Sequence, residues 1–120
     1  MLNLYFCFKS LHQIHKMKIV IAGASGFIGK YISENLIKEG NDVIQISRSS
    51  NIYNWKPEKL LTAINGAEVL INLAGRSINC RHNRKNKSDI LSSRLVSTRL
   101  LSDAVSNCKN PPKLWINASA

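Results

Sequence analysis

Gly23, Gly26 and Gly29 recur every three residues, directly after the apolar run Lys18-Ile19-Val20-Ile21-Ala22. The chemistry they fit is anion binding by the backbone. Gly23 lets the chain turn sharply out of a strand. Gly26 has no Cβ, so a pyrophosphate can come close to the main chain. Gly29 lets the next helix pack tightly on the sheet. Ser25, Phe27 and Ile28 complete the turn at a helix N-terminus, where free N–H groups and a partial positive charge suit a phosphate. A Gly-x-x-Gly-x-x-Gly spacing between strand and helix is a dinucleotide-binding turn. The alternative is a glycine-rich turn with no ligand.

Ser47-Arg48-Ser49-Ser50 stands at the end of the next strand pattern. An Asp or Glu there would bind a ribose 2′-hydroxyl and favour NAD. A guanidinium flanked by hydroxyls, here Arg48 with Ser49, fits a 2′-phosphate, so the expected cofactor is NADP rather than NAD. A solvated surface arginine is the plainer alternative. Ala74-Gly75 follows a third strand pattern, and residues this small leave space over a ligand at a strand end.

Arg81, His82, Arg84, Lys85 and Lys87 form a basic stretch with no acid among them. A solvated loop is the default reading. It lacks the interleaved aromatics of a single-strand nucleic-acid binder, and no helix-turn-helix or zinc pattern accompanies it. His82 has no Cys or His at ligand spacing, so no metal site is expected.

The elements that must position these residues follow from periodicity. Ile28, Tyr31, Ile32 and Leu36 place a helix over Phe27 to Glu39, with Gly40 as its stop. Val43 to Ser47 reads as a parallel strand. Asn51 to Pro57 reads as a loop in which Trp55 packs on the domain edge or covers an adenine. Glu58 to Ile64 is a short helix stopped at Asn65-Gly66, and Glu68 to Leu73 is the next strand. Ser88 to Ser106 is a long helix with Leu91, Leu95, Thr98, Leu101 and Val105 as its buried stripe. Pro111-Pro112 breaks it off, and Lys113 to Ala118 is a fourth strand. The alternation predicts an α/β fold, a doubly wound parallel sheet of order 3-2-1-4.

The 120 residues make one domain at most. A net charge of +10 favours anionic partners. Cys7, Cys80 and Cys108 fit free thiols in a reducing compartment, hence a cytoplasmic location. No apolar run is long enough to span a bilayer. Residues 1–16 read as an N-terminal extension outside the fold, with Met17 as the natural start. A short anchor or partner-binding arm is the alternative, and the apolar part is not a convincing secretory signal.

Together these residues resemble the extended short-chain dehydrogenase/reductase family, which includes NAD-dependent epimerases and dehydratases. Gly23-Ala24-Ser25-Gly26-Phe27-Ile28-Gly29 matches its glycine pattern, and Asn72-Leu73-Ala74-Gly75 matches its Asn-x-Ala-Gly segment. Ile71 to Ile78, Ser93-Arg94 with Thr98, and Pro111-Pro112 point to the subgroup usually labelled epimerase-family proteins. The resemblance implies an NAD(P)-binding Rossmann domain over residues 17–120, truncated after the fourth strand. It implies that the glycines bind pyrophosphate and Arg48 the adenosine end. Leu73, Ala74 and Gly75 line the cofactor, and Arg94 falls where many members carry an Asn and joins the cofactor-binding set. Ser119 sits at the family's catalytic Ser or Thr.

The family's Tyr-x-x-x-Lys pair lies beyond that position. Tyr5-x-x-x-Lys9 matches only the spacing and is read as chance. General acid–base chemistry needs the pair. The expectation is therefore the cofactor-binding part of an oxidoreductase or nucleotide-sugar epimerase-like enzyme, without activity alone, able to pair as a homodimer. The alternatives are a non-catalytic NADP(H) sensor or interaction module, and a nucleic-acid binder working through Arg81 to Lys87.

Overall fold

Ile, Val and Ala alternate in Lys18-Ile19-Val20-Ile21-Ala22, so a strand there has apolar side chains on both faces. It forms β1 (Lys18–Ala22), and its last four residues are buried. The computed structural model describes residues 16–75 and 83–118. β1 lies inside a parallel sheet with β2 (Asp42–Ile46), β3 (Val69–Asn72) and β4 (Leu114–Asn117). Val20 pairs with Ile44 on one side and Leu70 on the other, and Leu70 pairs in turn with Trp115. The fold is the expected doubly wound α/β architecture.

The strand order is β2-β1-β3-β4, which corrects the expected 3-2-1-4. The third strand does not extend the sheet beyond β2. It returns across β1 and pairs on both sides, which suits Leu70, a residue with no exposed surface. The physical reason is a choice of helix face. α1 (Phe27–Lys38) packs Ile32 and Leu36 over Ile19 and Ile21 on one face. α2 (Pro57–Ile64) and α3 (Arg84–Asn107) pack Leu60, Ala63, Ile64, Leu101 and Ala104 over Val20, Ala22 and Leu70 on the other. A right-handed crossover that reverses its step along the sheet must put its helix on the opposite face. The alternation of strands and helices says nothing about where that reversal falls.

The expected helix stripes are also corrected. In α1, Ile28 and Tyr31 are exposed, while Gly29 and Ser33 are buried. Small residues set the helix phase because the helix closes on the chain just after β1. A Cβ at Gly29 would stand 2.5 Å from the Gly23 carbonyl oxygen and 2.8 Å from Ala24 Cα. Ser33 tolerates burial because its hydroxyl donates to the Gly29 carbonyl at 2.7 Å.

α3 begins at Arg84, four residues ahead of the expected Ser88, so Arg84, Lys85 and Lys87 are helical rather than loop residues. Asn83 caps it: its Oδ1 accepts from Asn86 N at 2.8 Å. Leu91 and Leu95 are exposed, and the buried stripe is Ser97, Leu101 and Ala104. Ser97 satisfies its hydroxyl on the Ser93 carbonyl at 2.7 Å. Thr98 and Val105, from the expected stripe, are half-buried.

Candidate functional site

In a doubly wound sheet, ligands bind outside the carboxyl ends of the strands, where neighbouring strands send their helices to opposite faces. Here that point lies between β1 and β3. β1 leads to α1 on one face and β3 to α3 on the other, so the chain parts at Gly23 and at Leu73-Ala74-Gly75.

Gly23 takes φ +80, which side chains rarely adopt. A Cβ there would stand 2.7 Å from Ala74 N and 2.8 Å from the Leu73 carbonyl carbon. The two loops are therefore in backbone contact only because this residue is glycine. Gly23 N and Ala24 N donate to the Ile46 carbonyl, at 3.1 and 3.4 Å, which locks the turn to the end of β2.

Gly26 is different. Its φ of −73 is ordinary, it is the N-cap residue of α1, and a Cβ there would meet only Gly23 O at 3.6 Å. Nothing in the fold demands glycine at this position. The helix start has no side-chain cap and no acid in its first turn. Phe27 and Ile28 turn their side chains to solvent. Free N–H groups, an unopposed helix dipole and open space over Gly26 together fit a phosphate-bearing ligand.

A cleft of about 620 Å³ opens at this point. Gly23, Ser25, Gly26, Arg48, Leu73, Ala74 and Gly75, all expected site residues, line it together with Ser47 and Trp55. Trp55 also packs against the core, as the packing reading expects, and it borders the cleft as well. The Arg48 loop is pinned from within. Ser47 N donates to the Tyr53 carbonyl at 3.2 Å, and Ser50 Oγ accepts from Ile52 N and Tyr53 N at 3.2 Å each. The Ser47 and Ser49 hydroxyls share a hydrogen bond at 3.3 Å.

Five expected residues among those described stand outside the lining. Gly29 is buried behind the turn, and Phe27 and Ile28 can offer only backbone groups to it. Arg94 lies against Gly75, and its Nη1 donates to the Ala118 carbonyl at 3.4 Å. Ser49 sits beside Ser47. Ser119, the leader with Tyr5 and Lys9, and residues 76–82 with Arg81 and His82 lie outside the described residues.

The opposite wall was not anticipated. Asp89, Ser93 and Ser97 of α3 line the cleft with Val96 and Leu100. The signal was present as three polar residues four apart, one side of a helix, but the apolar leucines drew the stripe elsewhere. Among the described residues, no group of three or more His, Cys, Asp or Glu could hold a metal ion. No helix among them is long and apolar enough to cross a membrane.

A glycine turn, an uncapped helix start and a cleft at the switch point define a nucleotide-binding α/β protein of the Rossmann class. The family model for the NAD dependent epimerase/dehydratase family matches residues 19–120, and the chain belongs to that family. It is 35% identical over 117 residues to the epimerase family protein YfhF of Bacillus subtilis, covering 87% of this chain and 38% of that protein. The crystal structure of human epimerase family protein SDR39U1 with NADPH superposes with a TM-score of 0.73 at 31% identity, over 84% of this chain and 36% of that one. A UDP-N-acetylglucosamine 4-epimerase from Bacillus cereus superposes at 0.61 and 26% identity, over 88% of this chain and 36% of that one. The chain thus spans little more than a third of the length of these relatives.

Proposed function

We propose that this chain binds NADP(H) and forms the cofactor-holding part of an oxidoreductase or nucleotide-sugar epimerase-like enzyme. One observation carries the reading: the uncapped start of α1, open over Gly26, faces the same cleft as Arg48. The α1 N–H groups and the Gly23 to Gly26 turn hold the pyrophosphate. Arg48, with the Ser47 and Ser49 hydroxyls beside it, holds the 2′-phosphate of the adenosine ribose. The NADPH bound to the human relative supports a dinucleotide of this class. When bound, a nicotinamide ring supplies hydride transfer.

The protein's own residues bind, orient and shield. Leu73 and Ala74 close one side of the cleft and Trp55 another. In the whole protein, Ser119 takes the catalytic position that the family gives a Ser or Thr, and a nucleotide sugar or similar small molecule is the substrate class. The chain's cysteines suit the cytoplasm.

The test is a thermal melt of the chain with NADPH and, separately, NADH at millimolar concentration. The expected result is a larger upward shift with NADPH. A larger shift with NADH would remove the Arg48 assignment and keep the dinucleotide site. No shift with either would overturn the reading.

A further inference from the structure

We propose that Arg94 is a positioning residue: it ties the Gly75 turn to the end of β4 and so shapes the half of the cleft that receives the nicotinamide end of the cofactor. The proposal rests on the dinucleotide reading above and assigns Arg94 a role other than phosphate contact.

Three observations meet at this side chain. First, it lies against the Gly75 backbone. A Cβ at Gly75 would come 3.3 Å from Arg94 Cγ and 3.6 Å from its Cζ and Nε, so a small residue makes room for the guanidinium stem. Second, Nη1 reaches the Ala118 carbonyl at 3.4 Å, while Ala118 N donates to the Asn72 carbonyl at 2.9 Å. Both backbone polar groups of Ala118 are therefore held, one from β3 and one from α3. Third, Arg94 Nε is buried without a partner, and Arg94 is not among the residues lining the cleft. A guanidinium spread on a glycine and turned to a backbone carbonyl acts as a strut.

The place of this strut follows from the strand order. Arg48 follows β2, and the glycine turn follows β1. The sheet runs β2-β1-β3-β4. A dinucleotide with its adenosine at Arg48 and its pyrophosphate at Gly26 has its remaining half over the ends of β3 and β4. Gly75 and Ala118 flank that half, and Ala118 directly precedes Ser119. Holding Ala118 therefore fixes the main chain that leads into the family's catalytic position.

The experiment compares the full chain with Arg94→Met and Arg94→Lys, titrating each with NADPH and with 2′,5′-ADP, which carries only the adenosine half. Amide hydrogen exchange is measured on the free proteins. Arg94→Met is expected to weaken NADPH roughly tenfold, the scale of a hydrogen bond to a charged group. It leaves 2′,5′-ADP unchanged and speeds exchange at Ala118 while β1 and β2 amides stay protected. Arg94→Lys restores part of the NADPH affinity. Equal loss of both ligands, or unchanged NADPH affinity, overturns the proposal. Unchanged exchange at Ala118 with weaker NADPH would mean that Arg94 touches the cofactor directly, and that also overturns it. If the unsubstituted chain binds neither ligand, the dinucleotide reading falls. The Ala118 exchange then still shows whether Arg94 holds the end of β4.

Discussion

Asn72 and Asn117 stand opposite each other at the ends of β3 and β4, and their side-chain amides are joined: Asn72 Nδ2 donates to Asn117 Oδ1 at 3.0 Å. Asn72 Oδ1 accepts from Ala74 N at 3.0 Å, and Asn117 Oδ1 also accepts from Trp115 Nε1 at 3.1 Å. A chain of hydrogen bonds thus runs from a half-buried tryptophan packed against the core, across two strands, into the Leu73-Ala74-Gly75 loop of the cleft. The Asn of the Asn-x-Ala-Gly segment is therefore a loop holder, nearly fully buried, with both its side-chain oxygen and its nitrogen hydrogen-bonded. Asn72→Ala should cost about 1–3 kcal/mol, because it leaves Ala74 N and the Asn117 side-chain Oδ1 with fewer partners. In a double-mutant cycle with Asn117→Ala, measured by urea denaturation, the two changes should be non-additive by at least about 0.5 kcal/mol. Strict additivity would mean that the amides act separately.

The glycines should separate fold from binding. Gly23→Ala meets both the φ of +80 and the 2.7 Å approach of Ala74 N, so it should lower stability by at least about 2 kcal/mol. Gly26→Ala meets neither. Its stability should stay within about 0.5 kcal/mol of the parent. Its melting temperature should no longer rise with NADPH, because the new methyl occupies the phosphate's space. Melts of the two variants with and without NADPH distinguish these outcomes. A Gly26→Ala protein that still responds fully to NADPH would move the phosphate site elsewhere.

On the proposed reading, Arg48 selects between the two cofactors. Arg48→Ala should reduce NADPH affinity by about tenfold or more and leave NADH affinity nearly unchanged, since only the 2′-phosphate is lost as a partner. Paired titrations followed by nicotinamide fluorescence would show the change in ratio. Parallel losses for both cofactors would instead make Arg48 a structural residue of its loop.

The register of α3 has its own test. Leu101 is fully buried and Leu95 is 62% exposed. Leu101→Ala should cost about 2–5 kcal/mol, whereas Leu95→Ala should stay within about 0.5 kcal/mol in the isolated chain. Denaturant midpoints suffice, and a reversed ranking would restore the leucine stripe to the core.

Burial pushes the Cys108 thiol above its ordinary range, and the nearby Lys18 offsets part of that rise. The folded state thus holds its proton more tightly than the unfolded chain does. The resulting stability is present below the unfolded thiol's pKa and is lost as pH rises through the folded one. Stability should therefore decline from neutral pH toward about pH 10, and Cys108→Ala should flatten part of that decline. Melts across this range in both proteins read the difference. Identical slopes would show that Cys108 does not contribute.

The sequence by itself determined the local elements and the glycine turn. Ile and Val in a short run make a buried strand, glycines at fixed spacing make a turn that backbone sterics recognise, and Gly40 and Gly66 end helices with the positive φ they alone adopt easily. These are short-range effects, complete within a few residues. That Arg48 and Ala74-Gly75 border the cleft was legible for the same reason, since each follows a strand end. Only the tertiary structure decided the strand order, the faces of α1 and α3, and the far wall of the cleft. Periodicity shows that a helix has apolar residues. It does not show that Gly29 and Ser33 must face the sheet so that α1 can close on Gly23, or that Ser93 and Ser97 turn inward while Leu91 and Leu95 stay out. Close packing sets helix phase by shape, and a buried hydroxyl costs little once a carbonyl accepts its proton. Arg94 and Asn117 act on partners 24 and 45 residues away, and such pairings exist only once β3 and β4 lie side by side.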